Sequence, residues 1–140
     1  MKVIELHESV TASNDHDADV LRAKMKMDGT LLINLMSSPG SGKTTLLKGT
    51  VKAMPDVHIA VMEADIASDV DAVTMAQNGA ESIQVHTDGM CHMDAGMTAE
   101  GLRHMNLQDI DLVFLENVGN LICPAEFDTG AGKNVMILSV

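Results

Sequence analysis

Leu31-Leu32-Ile33-Asn34-Leu35-Met36-Ser37-Ser38-Pro39-Gly40-Ser41-Gly42-Lys43-Thr44-Thr45 is the stretch on which the fold turns. Its first six residues are apolar apart from Asn34 and read as a buried strand. A glycine-rich turn follows, and then a helix expected from Lys43 to about Ala53. Strand, glycine turn and helix in that order make a phosphate-binding loop. Gly40 and Gly42 let the backbone close around phosphate oxygens with no Cβ in the way. The helix start aims unpaired N–H groups and a partial positive charge at the same point. Lys43 would bridge the terminal phosphates and the Thr44 hydroxyl would ligate magnesium, so Gly40, Ser41, Gly42, Lys43, Thr44 and Thr45 form the candidate cradle. Ser37 stands where the usual pattern has Gly, and an ordinary glycine-rich turn is the plainer alternative.

Outward from this loop the same alternation recurs. An amphipathic helix is expected from about Ser13 to Met27, ended by Gly29. Val57–Met62 reads as a strand, Ser68–Gln77 as a helix stopped at Asn78-Gly79, and Ser82–His86 as a short strand. Asp94–Met105 reads as a helix with Asp94 as its N-cap, Asp111–Glu116 as another buried strand, and Asn134–Val140 as a last one. Short apolar strands alternating with helices predict a three-layer α/β fold of P-loop NTPase type, its mostly parallel sheet covered on both faces. Ligands bind beyond the carboxyl ends of such strands. The expected organisation is an N-terminal helical segment over 1–28 and a phosphate-loop domain over 29–140. The chain stops in or just after a strand, so the domain is expected to lack its C-terminal part.

Composition narrows the function classes. The chain has 140 residues, 46% of them apolar, which is enough for one domain with a core. Phe114 and Phe127 are its only aromatic residues, so Leu, Ile, Val, Ala and twelve Met must fill that core. A formal charge of −11 with so few aromatics argues against a nucleic acid partner. No apolar run approaches a membrane span and the N-terminus has no signal region, so a cytoplasmic protein is expected. There the two cysteines, Cys91 and Cys123, suit metal ligation, catalysis or burial better than a disulfide.

A phosphate loop needs acids. Asp65 follows the second strand of the phosphate-loop domain and Glu116 ends the Val113–Leu115 strand, so both should lie on the loop's own edge of the sheet, there to hold magnesium and place water. Either could instead be a solvated turn carboxylate. Cys91-His92 lies just before the Asp94 helix, where neighbouring side chains could reach one ion and a helix N-terminus would favour a thiolate. Cys123, seven residues after Glu116, should lie near the same edge. Two thiolates and an imidazole suit zinc or nickel but leave the coordination incomplete. Spacing alone leaves a metal site and two unrelated cysteines with a surface His both open. His86 reads as structural, and Asp15-His16-Asp17 as a solvated helix face.

Taken together these marks resemble one family, the hydrogenase nickel-incorporation GTPases called HypB. The resemblance runs from about Leu31 to Val140. It rests on the phosphate loop, Glu63-Ala64-Asp65 with Asp69 and Asp71-Ala72, Cys91-His92-Met93-Asp94-Ala95, and Glu116-Asn117-Val118-Gly119-Asn120-Leu121-Ile122-Cys123-Pro124. It implies a slow GTPase in which Lys43 and Thr44 hold phosphate and magnesium, Asp65 belongs to the nucleotide-responsive region, and Glu116 and Gly119 sense the terminal phosphate. It further implies that Cys91, His92 and Cys123 bind nickel or zinc at a GTP-dependent homodimer interface. Hydrolysis would then release nickel toward the [NiFe]-hydrogenase large subunit, with a HypA-like zinc protein taking part. Ala64 and Asp88-Gly89-Met90 depart from the family pattern, and the chain ends before its Asn-Lys-x-Asp guanine-recognition motif. The rivals are a urease-accessory nickel GTPase, whose metal motif is Cys-Pro-His, a non-catalytic metal-binding fragment, and a small-molecule phosphoryl transferase.

Overall fold

The computed structural model describes residues 2–6, 11–37, 42–64, 81–87, 89–119 and 121–138. Among these residues the chain runs β1 (Val3–Glu5), α1 (Thr11–Asp28), β2 (Leu31–Ser37), α2 (Lys43–Ala53), β3 (Ile59–Ala64), β4 (Glu81–His86), α3 (Ala95–Arg103), β5 (Leu112–Glu116), α4 (Cys123–Glu126) and β6 (Lys133–Ile137). The helix expected over Ser68–Gln77 lies outside the described residues. The six described strands form one sheet in the order β1-β4-β3-β5-β2-β6. Every pairing is parallel, where the sequence predicted a mostly parallel sheet.

Burial on two faces explains the near-continuous apolar strands. In β3, Ile59 and Val61 pack with Leu47 and Val51 of α2, while Ala60, Met62 and Ala64 pack on the opposite side. β5 divides likewise, Leu112 and Phe114 going to the α2 side and Val113 and Leu115 to the other. That other side carries α1 and α3 through Leu21, Met25, Met97 and Leu102. The three-layer expectation is met, and Met25, Met36, Met62, Met93, Met97 and Met105 are buried core residues. Gly101 lets α3 sit close to the sheet, since a Cβ there would meet the Met62 sulfur at 2.7 Å.

Several boundaries differ from the sequence reading. β3 starts at Ile59, because Val57 is held in a turn by its N–H donating to the Met54 carbonyl at 3.1 Å. β6 runs Lys133–Ile137, short of the expected end. The expectations included neither β1 nor α4. β1 pairs with β4 in the same sheet as the phosphate-loop strand, so that sheet takes in residues on both sides of position 28.

Candidate functional site

β5 lies between β3 and β2, which brings the carboxyl ends of these three strands together. Glu116 is in register with Leu35 of β2 and with Glu63 of β3. The two carboxylates are thus side by side at the end of the sheet, each residue about 1% exposed. By strand alternation both lie on the α2 side, the side on which Lys43 opens α2. Burying a carboxylate is costly without a cation or hydrogen bonds. Lys43 supplies the cation: its Nζ lies 3.7 Å from Glu116 Oε1 and makes a long hydrogen bond, 3.4 Å, to the Asn117 carbonyl oxygen. Gly42 precedes α2 with φ of +94°, a left-handed conformation that favours glycine.

Of the predicted nucleotide residues, Lys43 and Glu116 therefore meet. Gly42, Thr45 and Gly119 are described, as is the backbone of Thr44. Gly40, Ser41 and Asp65, with the Thr44 side chain, lie outside the described residues. Glu63 had a place in the sequence motif but no role. A charge in a strand buried along its whole length was the signal that could have singled it out.

The thiols and the imidazole also meet. Thr87 and Met90 close a turn, with Thr87 Oγ1 donating to the Met90 carbonyl at 2.9 Å. Asp94 caps α3 by accepting from the Met97 N–H at 2.8 Å. Cys91, His92 and Met93 span the gap between these fixed points. Cys91 Sγ is 3.9 Å from His92 Nδ1. The Cys91 thiol also hydrogen-bonds Cys123, and with desolvation this holds the Cys123 thiol above its ordinary value. Cys91 and His92 stand on a bend just before the Asp94-capped helix α3, where the sequence reading put them. There the local geometry is set by the turn and the Asp94 cap, not by a helical step. His92 is buried and stacks on Phe127, ring centroids 3.7 Å apart and planes within 5°. Sequence spacing gave no sign of that stack. Among the described residues no group of three His, Cys, Asp or Glu side chains is arranged to enclose an ion within one chain.

Between the two clusters runs a line of amides. Asn34 of β2 donates to Asn134 Oδ1 at 3.0 Å and accepts from Asn117 Nδ2 at 2.9 Å. Asn117 Oδ1 accepts from the N–H groups of Met93 at 3.2 Å and Val118 at 2.8 Å. Asn14 of α1 joins from the other side, accepting from Ala95 N–H at 2.7 Å and donating to the Asp128 carbonyl at 2.9 Å. His86, read as structural from the sequence, has its Nδ1 3.1 Å from Glu5 Oε1 across the β4–β1 pair.

Comparison with known proteins gives a consistent picture. The family model for the CobW/HypB/UreG nucleotide-binding domain matches residues 31–137. The hydrogenase maturation factor HypB of Escherichia coli K12 is 42% identical over 140 residues, 99% of this chain and 48% of its own length. The hydrogenase/urease maturation factor HypB of Helicobacter hepaticus is 41% identical over 142 residues, 99% of this chain and 58% of its own. The chain thus spans about half the length of these curated relatives. The crystal structure of HypB from Archaeoglobus fulgidus superposes with a TM-score of 0.84 at 36% identity, covering 92% of this chain and 63% of that one. HypB from Helicobacter pylori in complex with nickel gives a TM-score of 0.78 at 32% identity, covering 89% and 59%.

Proposed function

The chain belongs to the CobW/HypB/UreG nucleotide-binding family, and from that premise we propose that it is the GTP-driven switch of a nickel metallochaperone serving [NiFe]-hydrogenase maturation. One observation carries the reading. The lysine of the phosphate loop and the Met93 N–H, next in the chain after the Cys91–His92 pair, both contact a single segment, Glu116–Asn117, at the carboxyl edge of one sheet. A general phosphoryl transferase has no use for two thiols and an imidazole there. The adjacency of Cys91 and His92 differs from the Cys-Pro-His pattern of the urease-accessory type.

A triphosphate and magnesium suit the residue types of the loop, and guanine is carried by the family resemblance alone. Lys43, Thr44 and the Gly40–Gly42 backbone would hold the phosphates, with Thr44 and Asp65 on magnesium. Bound nucleotide supplies the energy of the switch. Lys43 then divides its ammonium between phosphate oxygens and Glu116, while Glu116 and Gly119 register whether the terminal phosphate is present. Nickel, or zinc in its place, is cargo for Cys91, His92 and Cys123. Cys91 is exposed, Cys123 half-buried, and the neighbouring Ile122 is 73% exposed, which supports completion of the ligand set by a second copy of the chain. The HypA-like zinc protein and the hydrogenase large subunit are the proposed partners downstream. No described helix is long and apolar enough to cross a membrane, and the proposed location is the cytoplasm. Hydrolysis is slow, because the sequence offers the loop no arginine finger or strong base; many turnovers per second without a partner would contradict this.

Nickel and zinc titrations of the chain and of a Cys91→Ala, Cys123→Ala variant test the proposal, with magnesium and a non-hydrolysable GTP analogue present and molecular mass followed by light scattering. The expected result is stoichiometric metal on a dimer, with the variant keeping nucleotide but losing metal. Equal, weak metal binding by both proteins would reduce the chain to a phosphate-loop nucleotide binder. A second acceptor, urease, has one observation in its favour: the Helicobacter hepaticus relative is named for both enzymes.

A further inference from the structure

We infer that Asn117 is the positioning residue that ties nucleotide occupancy to the geometry of the Cys91–His92 pair, an inference that rests on the function proposed above. Asn117 is 1% exposed and uses its backbone and both ends of its side chain at once. Its backbone N–H donates to the Leu35 carbonyl at 3.0 Å, which fixes it to the strand feeding the phosphate loop. Its carbonyl oxygen takes the 3.4 Å hydrogen bond from Lys43 Nζ. Its side-chain oxygen holds the Met93 N–H, one residue beyond His92. Its side-chain nitrogen donates to Asn34, and the two backbone N–H groups on its oxygen, from Met93 and Val118, settle which way the amide faces.

The linkage follows from competition for one ammonium. Phosphate oxygens draw Lys43 away from the Asn117 carbonyl, because a charged acceptor outcompetes a neutral one. The peptide that loses that contact belongs to the residue whose side chain grips Met93. Met93 itself is fully buried, and just beyond it the Asp94 cap and Asn14 fix the start of α3. A displacement of Asn117 therefore cannot be absorbed on the α3 side. It passes instead to His92 and Cys91, which sit between Met93 and the Thr87–Met90 turn. The Met93 side chain is anchored in the core, so the shift turns the His92–Met93 peptide, whose N–H Asn117 holds, and with it the angle between thiol and imidazole.

The test compares nickel affinity of the chain with magnesium and a non-hydrolysable GTP analogue against nickel affinity without nucleotide. Coupling of this kind is expected to give a ratio of about tenfold in the unaltered chain. Asn117→Ala should bring the ratio below about twofold while each ligand still binds on its own. Asn34→Ser, which removes the partner of the Asn117 side-chain nitrogen but touches neither ligand, should give an intermediate ratio, and it decides the matter should Asn117→Ala not fold. Asn134→Ala, at the exposed outer end of the line, should leave the ratio as it was. A merely structural Asn117 would weaken both affinities and preserve the ratio, and that result would overturn the inference. So would an unaltered chain that binds both ligands with a ratio of one, though the proposed function would survive. An unaltered chain that binds no nickel or no nucleotide defeats the proposed function, and the inference with it.

Discussion

Where Lys43 meets Glu116, the charges sit between α2 and the sheet, with side chains 13% and 2% exposed. At the other cluster Cys91 is exposed, Cys123 is half-buried, and only His92 is enclosed, against Phe127. The two clusters share an edge of the sheet, yet they are finished to different degrees. The Lys43 side is a buried pairing of opposite charges. The thiol side offers ligands that one chain does not close. On the function proposed above, this difference would separate a site that senses from a site that lets go, since an ion held by an incomplete set would leave when its second half leaves.

The largest effect should come from breaking the buried side. Lys43→Met is expected to weaken nucleotide binding by about 10- to 100-fold, the worth of a charge-assisted hydrogen bond, as read by calorimetry. It should also lower stability by up to about 3 kcal/mol, because the buried Glu116 loses its cation. Adding Glu116→Gln should restore most of that stability and none of the affinity; recovery of nucleotide binding would show that Lys43 acts on Glu116 and not on phosphate.

Next is the open side. Cys91→Ala should abolish stoichiometric nickel binding yet barely move the melting temperature, since the residue is exposed. A large drop in melting temperature would make Cys91 a structural residue and erase the contrast. Phe127→Leu should cost about 1 kcal/mol of stability through loss of the ring stack. It should also weaken nickel binding, because His92 loses the surface that fixes its plane.

Acidity sharpens the comparison further. The Cys123 thiol is held above its ordinary value of 9.0, first by the hydrogen bond with Cys91. Its thiolate form is therefore scarcer in the folded chain at a given pH, and any stability from this shift is present below pH 9.0 and fades as pH rises through the raised value. Alkylation followed by mass spectrometry should place the Cys123 midpoint above that of a free thiol, and Cys91→Ala should bring it down. The smallest effect belongs to Glu100, lowered chiefly by its hydrogen bond to Arg103 and also by His104 on the exposed face of α3. Glu100→Gln should change the melting temperature too little to resolve, because solvent screens such pairs.

What the sequence made legible was whatever depends on neighbours in the chain. The phosphate-loop strand and helix, the Asp94 cap and the apolar strands all follow from local pattern, and Glu116 was set on the loop's edge of the sheet by strand-end position alone. What it hid depends on distant contacts. β1 is three residues long, too short for any period to show, and exists only because β4 accepts it. Asn34 reads as a tolerated polar residue in a strand until its partner, 83 positions away, is seen. Phe127 had no assigned role in the sequence, and its stack on His92 joins segments far apart in the chain.

The methionine-rich layer between α3 and the sheet has a chemical consequence of its own. Met62, Met93 and Met97 are fully buried there, and Gly101 brings the helix down onto the Met62 sulfur. Thioethers are readily converted to sulfoxides, but only when peroxide reaches them, and a sulfoxide dipole does not fit back into an apolar layer. The layer is thus a built-in clock: each sixteen-dalton gain at these positions (about one oxygen atom) records an excursion in which α3 lifted away. Oxidant damage and the breathing of the fold become one measurable quantity.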